Sequence, residues 1–293
     1  MWHMDSALVS TLQRVRFVAG LSFREAWRRK VVIAALVMTV GFLALYGLGI
    51  HFAAEEIASD ASGGEVIMRA AVGAQLLYVG LFASSIILGL LAVLSAAGAI
   101  AAEVDTGVLH GVLSRPIRRW ELIVGKFLGA GAMIALYTLA LAGAVVGLAR
   151  WQLHAPVMHP IAGLGIIVLE PLILLALAIL GSSRLSTMAT GVLCVAAYGM
   201  GAIGGFIEQI GAFINNTTMM NLGIVSSLLV PVDAMHRKAI AVLLPATAML
   251  ADQMGPFGSL GKATPSVVMV AYAAAYIAVA VWLATRLFAR RDL

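Results

Sequence analysis

Six predominantly apolar runs, each at least twenty residues long, leave this chain few ways to fold. They lie at roughly 31–50, 76–101, 122–149, 161–183, 185–207 and 266–288. A helix needs about 20 apolar residues to cross the ~30 Å hydrocarbon core of a bilayer. Each run is too long and too continuously apolar for an ordinary core helix. The expected fold class is therefore all-α: a polytopic membrane protein with six transmembrane helices. Composition agrees, because only 11% of residues are charged and 62% are hydrophobic. A soluble domain averages about 25% charged residues to cover its surface. The net charge of +5 then points to helix ends anchored in a membrane rather than to nucleic acid. The single cysteine, Cys194, lies in an apolar run and reads as a packed core thiol.

The first run begins after Arg28, Arg29 and Lys30. It is longer than the 7–15-residue core of a signal peptide, so it reads as an uncleaved first helix, and the twin arginine as a charge anchor. With the N-terminus inside, fourteen of the nineteen lysines and arginines fall in inner segments. These are Arg14, Arg16, Arg24, Arg28, Arg29, Lys30, Arg115, Arg118, Arg119, Lys126, Arg184, Arg286, Arg290 and Arg291. That bias predicts both termini on the cytoplasmic side of the membrane. The outer segment 51–75 is acidic, with Glu55, Glu56, Asp60 and Glu65.

Ahead of the first span, Leu8, Leu12, Val15, Ala19, Phe23 and Trp27 recur at spacings of three or four. A basic helix with such a stripe settles in the headgroup layer, so residues 1–30 are expected as an interfacial amphipathic helix and 31–293 as the membrane domain. Three G-x-x-x-G pairs, Gly125 with Gly129, Gly143 with Gly147 and Gly201 with Gly205, permit close helix approach in lipid. The outer segment 208–265 holds apolar runs too short to span, at 224–230 and 239–244. They predict short helices lying at the outer surface, with Pro231 and Asp233 at the turn between them and Asp233 capping the second.

Polar groups at depth are the candidates for function. Glu170, next to Pro171, sits mid-span, where a carboxylate must face protein or water. Two readings stand: a substrate path or gate, shared with Pro231 and Asp233, or a structural acid bonded to a neighbouring helix. His154, Met158 and His159 in a short loop, and Met219 with Met220, have the donor chemistry of a copper site. Their incidental occurrence near helix ends is the preferred reading, and no metal site is expected. No H-E-x-x-H, G-x-S-x-G or P-loop is present. Near Gly261 and Lys262 the glycine spacing is off by one and Ala263 replaces the hydroxyl. The chain is therefore not expected to be an enzyme or to bind a cofactor.

The segment between the second and third spans is the most informative. Leu109, Val112, Leu113 and Pro116 form an apolar stripe on a short polar helix that proline stops, and a basic turn follows. Glu103, Asp105, Gly107, Leu109, Leu113, Ser114, Pro116, Ile117, Arg119, Gly125 and Lys126 match the cytoplasmic loop of ABC-2-type permeases, with Asp105 in place of a glutamate and Val108 in place of a threonine. The chain closely resembles that family. A second run, Leu229, Pro231, Asp233, Ala234, Arg237 and Ala239, resembles the multicopper-enzyme-maturation subgroup, which includes the nitrous oxide reductase maturation permease. The resemblance implies a permease that exports or moves a substrate as a homodimer or heterodimer. It implies an ABC ATPase partner that binds ATP and Mg, and a coupling helix carried by Glu103, Asp105, Gly107, Leu109, Val112, Leu113, Arg115 and Pro116. Three rivals stand beside it: a secondary transporter or channel, a membrane-embedded enzyme, and a complex that turns ATP into mechanical change without transport.

Overall fold

The computed structural model describes residues 2–59, 65–97, 118–153, 155, 157–245 and 264–290. Among these there are nine helices and no strand. They are α1 (Trp2–Arg28), α2 (Lys30–Ser59), α3 (Glu65–Ala96), α4 (Arg119–Leu153), α5 (Pro160–Ser182), α6 (Thr187–Phe213), α7 (Thr217–Leu229), α8 (Val232–Leu243) and α9 (Val267–Ala289). The expected coupling segment, Glu103 to Pro116, lies outside the described residues, as does His154.

Six of these helices, α2 to α6 and α9, are long and apolar enough to cross a membrane. They coincide with the six apolar runs. Helix length, however, does not stop where apolarity stops. α2 continues past Ile50 to Ser59, and α3 begins at Glu65, so much of the expected outer loop 51–75 is helical. Alanine and glutamate are strong helix formers, and a helix already nucleated in the core extends at little cost. The 35 residues of α4 rise about 50 Å, well beyond the ~30 Å core. Its ends must therefore stand clear of the hydrocarbon.

The core lies between α3, α4 and α5. Leu77, Leu81, Leu88, Leu91, Met133, Ile134, Leu141, Ile173, Leu175 and Ile179 are at most 1–2% exposed there. α2 and α9 flank this core and bury mostly one face, with Val32, Ala35, Tyr46 and Ile50 on the first and Ala273, Ala280, Ala284 and Phe288 on the second. α5 carries Pro171 inside the helix. Proline has no N–H to give the carbonyl of Ile167, so the ladder is broken beside Glu170.

α1 packs against the start of α4 through its smaller residues. Val15, Val18 and Ala26 are buried, whereas Leu12 and Trp27 are more than half exposed. The glycines of α4 decide this rotation. A Cβ on Gly125 would stand 2.6 Å from Val18 Cγ1, and one on Gly129 would stand 2.3 Å from the Ala19 carbonyl. Only bare backbone lets α1 approach so closely, so its small residues turn inward and its large apolar ones turn out. Arg14 meets Glu121, Val18 meets Gly125 and Ser22 meets Gly129, so the two helices advance side by side. Gly143 and Gly147, the second pair, face open space.

Candidate functional site

α7 and α8 bend by 103° at the break between Leu229 and Val232. α7 runs back along α6. A Cβ on Gly211 would meet Met219 and one on Gly204 would meet Ser226, while Gly201 lies against Val230. α8 then runs back along α5, with His236 beside Glu170 and Leu243 against Gly163. The pair thus enters beside Phe213, turns at Pro231 near the middle of α5 and α6, and leaves beside Pro160. This corrects the expectation of helices lying flat at the outer surface. Each helix is too short to span, but two glycine-lined grooves and a set of paired charges let the turn descend into the bundle. Asp233 does not cap α8: the cap position is Pro231, with no side-chain bond.

The turn is held by two polar clusters. In the first, the Ser85 hydroxyl of α3 donates to Glu170 Oε2 of α5 at 2.5 Å. His236 Nδ1 of α8 lies 3.1 Å from Glu170 Oε1 and 3.1 Å from Ser85 Oγ. Glu170 is 2% and His236 3% exposed. The rings of Tyr78 and Phe82 make T-shaped contacts with the imidazole. His236 Nε2 is buried without a hydrogen-bond partner among the described residues. A cavity of about 10 Å³ adjoins it, lined by Phe82, Ser85, Glu170, Tyr198, Asp233 and His236. That is roughly the room one water needs.

In the second cluster, Arg237 is 5% exposed and its guanidinium holds two carboxylates. Nε donates to Asp233 Oδ2 at 2.8 Å and Nη2 to Glu208 Oε2 at 2.6 Å. Ser227 Oγ accepts from Nη2 at 3.4 Å. A guanidinium presents five donors in a fixed fork, which suits two carboxylates at once. The fit depends on Gly205, where a Cβ would fall 1.7 Å from Asp233 Oδ2, and on Gly223, where one would fall 2.3 Å from Glu208 Cβ. The third G-x-x-x-G pair thus seats the turn and its acid.

At the opposite, arginine-rich end a clamp ties α1 to α4. Arg14 Nε and Nη2 donate to the two oxygens of Glu121 at 3.0 Å each, and the Arg118 backbone N–H adds a third bond at 3.0 Å. Glu121 is fully buried. Arg29 Nη1 donates to the Ser95 carbonyl at the end of α3, and Nη2 to Glu25. Arg119 donates to the Ala289 carbonyl at the end of α9 at 3.2 Å, where a cation suits the helix C-terminus.

Of the residues singled out in the sequence, Glu170, Pro231 and Asp233 come together around one turn. Cys194 is buried in α6. Met158 is exposed in the turn before α5, and its backbone N–H donates to the Leu243 carbonyl. Among the described residues no three histidine, cysteine or acidic side chains group as a metal site. Sequence reasoning missed Ser85, His236 and Glu208, and the Arg14–Glu121 clamp. Arg237 was noticed only as part of a motif, although its i, i+4 spacing from Asp233 signals a pair on a helix.

A family model described as ABC-2 family transporter protein matches residues 16–293. A comparison with curated proteins gives no match. With six apolar helices of membrane-crossing length and a match over nearly its whole length, this multi-pass membrane protein belongs to the ABC-2 family of transporter proteins.

Proposed function

We propose that this chain is the membrane-spanning permease of an ABC transporter, coupling ATP hydrolysis in a partner subunit to movement of a substrate across or out of the membrane. In this reading it sits in a bacterial cytoplasmic membrane with both termini inside and works as a dimer of permeases. Residues 1–30 serve as the interfacial segment and 31–293 as the permease domain. Glu103, Asp105, Gly107, Leu109, Val112, Leu113, Arg115 and Pro116 form the docking surface for the ATPase, which binds the ATP and Mg. Leu109, Val112 and Leu113 supply the apolar anchor, and the charged residues set its register. The run around Pro231, Asp233 and Arg237 supports the maturation-permease subgroup within the family.

The observation that carries the reading is the Ser85–Glu170–His236 joint. Residues 98–117 connect α3 to α4, so a partner pressing on that segment pushes on α3. Ser85 lies eleven residues before Ala96, about 16 Å along α3. A shift of α3 is therefore delivered to Glu170 in α5 and to the turn at Pro231, near the middle of the bundle. ATP binding by the partner favours whichever arrangement of this joint its docking contacts prefer. Glu170, Pro231 and Asp233 would then gate the substrate path.

The test is Leu113→Asp, read by co-purification with the ATPase and by ATPase activity in lipid. Loss of the partner, or uncoupling of its hydrolysis from transport, is expected with normal insertion, while Arg118→Ala does far less. Truncating a buried interface anchor costs ~2 kcal/mol or more, a rim charge much less. Retention of the partner and of full coupling would overturn the docking assignment.

A further inference from the structure

Among the described residues, a large cavity lies at the arginine-rich end, between α1, α2 and α4, and neither the Glu170 joint nor the expected ATPase surface uses it. It is open to the outside, has a volume of about 470 Å³, and is lined by Phe23, Arg24, Trp27 and Arg28 of α1, by Leu36, Thr39 and Leu43 of α2, and by Leu136, Tyr137, Ala140 and Leu141 of α4. Its floor is sealed by one hydrogen bond, between Thr39 Oγ1 and Tyr137 Oη at 2.5 Å. That bond consumes the polar groups at depth, so the walls below the mouth are apolar.

The mouth is different. Arg24 and Arg28 are spaced i, i+4 on α1, beside Phe23 and Trp27 at the same spacing, whose rings stack with centroids 6.3 Å apart. Both arginines are exposed, and neither has an ion pair or hydrogen bond among the described residues. The acid next to them, Glu25, is held by Arg29 at 2.6 Å. Two uncommitted guanidiniums and an indole therefore stand over an apolar slot.

The slot has the dimensions of one leaflet. Thirteen residues separate Lys30, at the head of α2, from Leu43, which is about 20 Å of helix. Half the hydrocarbon core is ~15 Å, and the headgroup layer adds several more. An indole at the polar boundary and cations just outside it match the way membrane proteins meet the headgroups of the cytoplasmic leaflet.

The geometry points to a binding site for an acidic phospholipid of the inner leaflet, with an acyl chain between α2 and α4 and the phosphate between Arg24 and Arg28. The choice of leaflet rests on the orientation proposed above, whereas the choice of ligand rests on the cavity and its charge alone. Such a lipid would brace α1 against α2, which otherwise touch little beyond the bend at Arg29. It would sit on the same face of α4 that carries Gly129 and Tyr137 toward the core.

The test needs no ATPase, so its failure is separable from failure of the transport reading. The full chain is purified in detergent and titrated with phosphatidylglycerol or with phosphatidylcholine of the same acyl chains, and bound lipid is counted by native mass spectrometry. The wild type is expected to retain phosphatidylglycerol in preference, by on the order of ten- to thirty-fold for two arginines at the headgroup. The pair Arg24→Gln with Arg28→Gln removes that preference, and Ala140→Trp, which fills the slot from an exposed position, removes binding of both lipids. Arg16→Gln, on α1 but away from the cavity, leaves both unchanged. Equal retention of the two lipids by the wild type overturns the proposal, as does preference that survives both variants. So does an Ala140→Trp variant that loses a dimer while keeping its lipid, since the slot would then hold a helix of a second copy.

Discussion

Replacing Arg237 by methionine tests the account of the re-entrant turn most directly. The side chain is 5% exposed and holds Asp233 at 2.8 Å and Glu208 at 2.6 Å, whose own side chains are 11% and 13% exposed. Methionine matches the length of the apolar stem, so packing is largely kept and the charge is lost. Two nearly buried carboxylates are then left without their cation. Breaking a buried pair in this way costs about 3–5 kcal/mol, a large share of the 5–15 kcal/mol that typically separates folded from unfolded. The chain supplies its own reporter: Cys194 is its single cysteine and is buried in α6, against which the turn packs. A thiol-reactive dye that fluoresces on labelling therefore reads unfolding of this region. The expected fall in the melting midpoint is on the order of 5 °C or more. The triple variant with Asp233→Asn and Glu208→Gln should recover most of that fall, because the uncompensated charges go with the arginine. A triple variant as unstable as Arg237→Met would mean that packing, not charge, holds the turn, and an unchanged midpoint in the single variant would sink the account entirely.

Other outcomes follow from other contacts. Gly129→Val should free α1 from α4, since its Cβ would fall 2.3 Å from the Ala19 carbonyl, and trypsin should then cut at Arg14 and Arg16 many-fold faster; Gly143→Ala, into open space, should change nothing. Glu170→Gln keeps the size of the side chain but weakens it as an acceptor for Ser85 and His236, so it should lower substrate-stimulated transport at normal protein levels; unchanged transport would return Glu170 to a purely structural role. Arg14→Ala leaves the fully buried Glu121 carboxylate without its cation and should cost roughly 1–3 kcal/mol, read in the same dye assay, with Glu121→Ala less severe because the Arg14 it strands is 31% exposed and can reach water. Reporter fusions at both termini should be active only as cytoplasmic fusions, as the distribution of basic residues requires.

The spans were legible because a bilayer imposes a length and a composition on every crossing, and the six apolar runs meet both. The re-entrant pair was less so. Its apolar runs at 224–230 and 239–244 are too short to span, and short apolar helices lie flat or descend according to what they meet. That partner is written elsewhere in the chain, in Gly201, Gly204 and Gly205 of α6 and Gly163 of α5. The same holds for the polar joint. Glu170 was conspicuous as an acid in an apolar run, but Ser85 is an ordinary residue for a membrane helix, and His236 lies 66 positions away on a segment read as surface. The face that α1 turns to α4 was not legible for a related reason: it is selected by the glycines of α4, which admit its small residues.

The re-entrant pair also settles a matter of parity. α7 descends along α6 and α8 climbs back along α5, so the two leave the bundle on the face where they entered. They stand apart in this from the six helices long and apolar enough to cross a membrane. A single added crossing in their place would send α9 through in the opposite sense and separate the two ends of the chain. Instead α9 returns to the face where α1 lies, and Arg119, two residues from the glutamate that holds α1, reaches the last carbonyl of α9. A kink at one proline therefore leaves the last turn of α9 and the middle of α1 meeting at the same end of α4.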